Sequence, residues 1–163
     1  MRHAGSVTDA PRVALVVDAA NVVGARPDGW WRDRAGAAER LLAQLAGLPG
    51  AVVPSPDGAV RVVAVAVVLE GRARSAALPA AARSPIGGLQ VLLADGSGDD
   101  AVVALEAEVR RTLAAEDGEL VVVTADRGLR ARLASRCWGP GWLRDLLDAR
   151  TATVRALEVQ GDE

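Results

Sequence analysis

Residues 60–69 read VRVVAVAVVL, and only Arg61 among them is polar. The run is too short to cross a bilayer. It also lacks the alternation of a strand that shows one face to water. A strand buried on both faces fits it, and such strands belong to parallel sheets covered by helices on either side. Similar apolar segments recur at 12–17, 89–93 and 120–123, with helical patterns between them. That alternation predicts an α/β fold. Helices are expected over 32–46 with Leu41, Leu42 and Leu45 inward, over 100–115 with Val103, Ala107 and Val109 inward, and over 128–135 and 140–148. Segment 47–58 holds three prolines and three glycines and reads as a loop. Segment 71–88 reads as a loop or short helix, and 153–159 as a last strand. Right-handed crossovers then predict a three-layer α/β/α sandwich around a mainly parallel sheet of four to five strands. One domain is expected over 11–160, behind a loose tail at 1–10.

Composition removes several chemistries. All nineteen basic residues are arginine, so no P-loop lysine or Schiff base is available. His3, in the tail, is the only histidine, and Cys137 the only cysteine, so an intrachain disulfide and a multi-cysteine zinc site are excluded. Net charge is −2, which gives no bulk basic field; contact with nucleic acid would rest on a local arginine surface. No signal-peptide segment or membrane-length apolar run is present, which predicts a cytoplasmic chain with no membrane contact.

Each strand delivers an acidic residue to the same sheet edge. The first is followed by Asp18 and Asn21 in VVDAANVVG, the second by Glu70 in VVLEGR. The third is followed by Asp95, Asp99 and Asp100 in ADGSGDD, the fourth by Thr124 and Asp126 in VVVTADRG. In open α/β sheets the carboxyl ends of strands are where sites form. Gathered carboxylates repel and raise one another's pKa unless a cation intervenes, and an all-oxygen set suits Mg²⁺ or Mn²⁺. Local explanations compete. Ser97 with Asp100 is a capping-box pattern, Asp99 favours a helix N-terminus, Asp126 can cap the helix after it, and Asp18 or Asn21 can cap the next turn. Capping alone does not require acid at every strand end.

These stretches resemble the NYN domain of the PIN-like ribonuclease superfamily, the YacP-like branch above all. The resemblance rests on VVDAANVVG, VVLEG, GSGDDAVV and VVTADRGL and runs from about residue 13 to 147. It implies metal-assisted hydrolysis of RNA phosphodiesters; with the oxygen-rich cluster this makes Mg²⁺ or Mn²⁺ the expected cofactor, and single-stranded RNA is the expected partner. Asp18, Asp100 and Asp126 would be ligands, with Asp99 and Glu70 completing the shell or orienting water. Asn21 would orient a neighbour or touch substrate, and Thr124 would bond a ligand carboxylate or the phosphate. Arg72 and Arg127 head the arginines that would position phosphate, beside Arg74, Arg83 and Arg130. Trp30 and Trp31 either stack on bases or anchor a loop. A homodimer, or a ribosome or protein partner, is compatible with the sequence.

Other classes fit less well. A receiver domain needs a lysine, and a haloacid-dehalogenase-like phosphatase needs Asp-x-Asp, where this chain has Asp18-Ala19-Ala20. A nucleotide pyrophosphohydrolase and a non-catalytic RNA-binding or assembly module remain as alternatives.

Overall fold

The computed structural model describes residues 9–83, 88–113 and 118–161. The tail at 1–8, with His3, and residues 114–115 of the expected middle helix lie outside them. Strand β1 (Arg12–Asp18) runs directly into α1 (Ala19–Gly24), and a 3-10 turn at Trp30–Arg32 precedes α2 (Arg34–Leu45). Next come β2 (Val52–Ser55), β3 (Gly58–Leu69), a 3-10 turn at Gly71–Ser75, α3 (Ala80–Arg83) and β4 (Leu89–Leu93). The chain ends with α4 (Gly98–Thr112), β5 (Glu119–Val123), α5 (Arg127–Arg132), β6 (Arg136–Trp138) and α6 (Pro140–Gln160).

β1 lies between β3 and β5 and is parallel to both, and β6 extends the sheet beyond β5. The far edge of β3 serves two partners. Residues 58–61 pair with β2, antiparallel, and residues 65–69 pair with β4, parallel. Burial on both faces follows from the continuous apolar runs. Val13, Leu15 and Val17 join Leu41, Leu42, Leu45, Leu143 and Leu147 of α2 and α6 in one core. Ala14 and Val16 join Val102, Leu105 and Leu129 of α4 and α5 in the other. With no Phe or Tyr, the cores are built of Val, Leu and Ala, joined in the first by buried Trp138, and truncating any one of the buried leucines to Ala would cost about 2–5 kcal/mol.

Four expectations need correction. The 47–58 loop contains β2, which pairs at the sheet margin, where the missing N–H of Pro54 is tolerated. Its turn is closed by the Ser55 hydroxyl donating to the Gly58 carbonyl at 2.6 Å, with Gly58 at φ +107°. The sheet has six strands where four to five are expected, β2 and β6 being the additions, and the three residues of β6 are too few to show a pattern. The expected strand at 153–159 is instead the continuation of α6. No Gly or Pro interrupts residues 142–160, and the hydroxyls of Thr151 and Thr153 donate to carbonyls four residues back. Finally, α4 buries Val102, Leu105 and Glu106, whereas Ala107 is exposed and Val103 and Val109 are half-buried. Glu106 is buried because its Oε1 accepts the N–H groups of Ala134 and Ser135 at 2.8 and 2.7 Å, satisfying the turn between α5 and β6. Among the described residues no helix is long and apolar enough to cross a membrane.

Candidate functional site

Asp18 is the last residue of β1 and the N-cap of α1, so the strand's burial carries a carboxylate into the edge of the core. It is 9% exposed. Its Oδ1 accepts the Asn21 N–H at 3.3 Å, and its Oδ2 accepts the hydroxyl of fully buried Thr124 at 3.1 Å. Burial pushes the Asp18 pKa up against the lowering effect of these two hydrogen bonds. The charges of Asp99 and Glu70 push in the same upward direction as burial. The structure thus brings three of the sequence-predicted carboxylates, from the ends of β1 and β3 and the start of α4, into one electrostatic neighbourhood.

Each neighbour has a different anchorage. Glu70 is half-buried, and its Oε2 accepts the Gly98 N–H at 2.7 Å, which ties the end of β3 to the first turn of α4. A side chain at position 98 would meet that carboxylate and push it aside, loosening the tether. Asp99 is half-buried and has no hydrogen bond or ion pair among the described residues. Asp100, one position on, is exposed and paired to Arg132 at 2.6 Å. Asp126 is exposed and caps α5, its Oδ1 accepting the Leu129 N–H at 2.9 Å. Ser97 caps α4 through the Asp100 N–H at 3.4 Å. Capping therefore coexists with the carboxylate gathering and accounts for one oxygen each of Asp18 and Asp126.

The loop after β5 is held by polar side chains. Asn21 Oδ1 accepts the Ala125 N–H at 2.8 Å, while the Asn21 side-chain NH₂ has no partner among the described residues. The Thr124 hydroxyl also accepts the Asp126 N–H at 3.2 Å, and the Thr124 carbonyl accepts Arg130 Nε at 3.0 Å. Thr124 is thus fully engaged in positioning Asp18, and Arg130 in positioning Thr124. Arg72 and Arg127 are exposed, with guanidinium groups that have no partner among the described residues. The side chain of Arg83 lies outside what is described. Cys137 is half-buried, and burial pushes its thiol pKa up, away from nucleophilic use.

No protein-family model matches the chain, and no curated protein matches it. Solved structures do. The fold is similar to that of Rae1 (YacP) from Bacillus subtilis. Its crystal structure aligns with a TM-score of 0.57 and 15% identity over 91% of this chain and 84% of that one. At this identity the likeness to Rae1 is one of fold. The Glu70–Gly98 tether was not read from the sequence, although a glycine opening a helix that already has a serine cap is its trace.

The donor set at the edge is all oxygen, which is the chemistry of Mg²⁺ and Mn²⁺. Among the described residues no group of three or more His, Cys, Asp or Glu stands ready-made as a metal cage. Mg²⁺ commonly needs only one or two carboxylates and keeps several waters. The two carboxylates that such a cation would draw on are buried Asp18 and half-buried Asp99, the latter without a partner among the described residues.

Proposed function

We propose that this chain is a metal-dependent endoribonuclease with a PIN-like, NYN-type fold, acting on single-stranded RNA in the cytoplasm. The observation that carries the reading is the placement of Asp18, a carboxylate buried at the carboxyl end of β1 with both oxygens fixed, facing the charges of Asp99 and Glu70. Carboxylates kept together at a cost call for a cation. Likeness of fold to Rae1 (YacP) over most of the chain supports the reading, as do the four motifs at the strand ends.

Asp18 and Asp99 would hold the cation, with Glu70 beside them. When bound, the cation supplies stabilisation of the charge that builds on the phosphate and eases the ionisation of water. The chain's own part is positional. Asn21 and Thr124 fix both oxygens of Asp18, so the carboxylate needs no reorganisation during the reaction. Glu70 fixes the start of α4 and hence the backbone that carries Asp99. Asp126 stands exposed after β5, next in sequence to Arg127, whose guanidinium has no partner among the described residues and suits phosphate.

The test is cleavage of end-labelled single-stranded RNA with Mg²⁺ or Mn²⁺, alongside binding of the same RNA. Wild type should cut internally. Asp18→Asn should abolish cutting while keeping affinity similar or better, because a negative charge near phosphate is removed. Wild type that binds RNA and leaves it intact across both metals would reject the nuclease reading in favour of a binding module.

A further inference from the structure

A cleft of about 500 Å³ opens between the 3-10 turn at Trp30–Arg32, the start of α2 and the 3-10 turn at Gly71–Ser75. Its volume falls within the ~300–1,000 Å³ of small-ligand sites. One wall is Trp31, which is 50% exposed, and Leu93, also exposed, contributes to the lining. A large apolar ring left half in water is an unfilled contact. Trp31 is nonetheless braced: it meets half-buried Trp30 edge-on at 5.9 Å, and the Arg34 guanidinium lies 5.4 Å over the Trp30 ring.

The remaining lining is cationic. Arg32 and Arg72 have no ion pair among the described residues, and Arg74 reaches only the exposed Asp95, at 3.9 Å. The one carboxylate in the lining, Asp33, accepts the Gly36 N–H as the N-cap of α2. A flat apolar platform beside unpaired guanidinium groups is the combination that takes a base and its phosphate together. The turn that carries Arg72 and Arg74 begins directly after Glu70, so one stretch of chain links the cleft to the proposed reaction centre. Bases inside a duplex have no free face to offer Trp31, whereas those of a single strand do.

We infer that this cleft holds one unstacked nucleotide of an RNA strand, its base against Trp31 and its phosphate between Arg32 and Arg72. The inference rests on the RNA reading above but not on cleavage. It also separates the paired tryptophans, Trp30 as the brace and Trp31 as the platform.

The experiment is fluorescence anisotropy with a labelled single-stranded oligoribonucleotide and with a duplex of the same sequence. It is run in EDTA so that nothing is cut, with circular dichroism to confirm that each variant is folded. Trp31→Ala should weaken single-strand binding about tenfold, and Trp31→Phe should weaken it less. Arg72→Ala should weaken it and reduce the salt slope by about one, whereas Arg110→Ala, on the outer part of α4, should do neither. Duplex affinity should not respond to Trp31→Ala. Unchanged single-strand affinity in Trp31→Ala, or equal losses for duplex and single strand, would overturn the inference. The two readings fail separately. RNA held through Trp31 but never cut on adding metal keeps this site and rejects the nuclease. RNA cut by a Trp31→Ala protein of unchanged affinity keeps the nuclease and rejects this site.

Discussion

The Thr124 hydroxyl donates to Asp18 Oδ2 at 3.1 Å, joining the ends of β5 and β1 across 106 positions of the chain. The Thr124 hydroxyl oxygen also accepts the Asp126 N–H, so one buried hydroxyl serves a carboxylate and a loop amide at once. Thr124→Val keeps the shape and removes both bonds. It should destabilise the fold by about 1–3 kcal/mol, the cost of leaving buried polar groups unpaired. It should also move the Asp18 pKa further up, because a lowering hydrogen bond is lost. Thermal melts and NMR titration of the Asp18 carboxyl carbon check the two effects.

Asp99 and Asp100 are adjacent and should behave differently. Asp99 acts on Asp18 and has no partner among the described residues, whereas Asp100 is exposed and paired with Arg132. Asp99→Asn should reduce metal-dependent cleavage by at least tenfold. Asp100→Asn should reduce it little and lower stability by under about 1 kcal/mol, as surface ion pairs do. Steady-state cleavage rates, with melts of both variants, decide this. Equal losses of activity would mean that both carboxylates serve the centre.

Asp18 also sets a pH dependence. Its folded-state pKa is raised, so the folded protein binds this proton more tightly than the unfolded chain does. The stabilisation is fully present below the ordinary carboxylate pKa and is lost as pH rises through the raised value. In EDTA, the melting temperature of Asp18→Asn minus that of wild type should therefore become more positive as pH climbs through and above the usual Asp range. A difference independent of pH would mean that burial does not disfavour the ionised form.

Added Mg²⁺ or Mn²⁺ should reverse that penalty. A cation that binds only the folded state at a hundred times its Kd adds about 2.7 kcal/mol, or roughly 5–10 °C for a domain of this size. Wild type should show this shift, and Asp18→Asn a much smaller one. Differential scanning fluorimetry with each metal measures both.

Parallel strands buried on both sides were legible as unbroken apolar runs, which is why β1, β3, β4 and β5 stand where the sequence puts them. β2 was hidden because Pro54 and Pro56 signal a loop, while a sheet margin asks nothing of a proline N–H. In α6, the β-branched residues at 151–154 suggest a strand, but the uninterrupted helix upstream propagates through them. Positions of the acidic residues at strand ends were legible, but the partners of each were not. Whether Asp99 or Asp100 faces Asp18 depends on the phase of α4, and that phase is set by the Ser97 cap and the Glu70–Gly98 bond. The choice between Trp30 and Trp31 depends likewise on packing, which no local pattern encodes.

The central place of β1 in the sheet has a consequence for the order in which the chain is made. Asp18 leaves the translating machinery 106 residues ahead of Thr124, and β1 cannot complete its second edge until β5 follows. Until then Asp18 has its own helix cap but not the hydroxyl that fixes its other oxygen. A chain that stops short of β5 therefore carries Asp18 with one oxygen fixed and the other free to turn, so the order of synthesis is also the order in which this carboxylate is set in place.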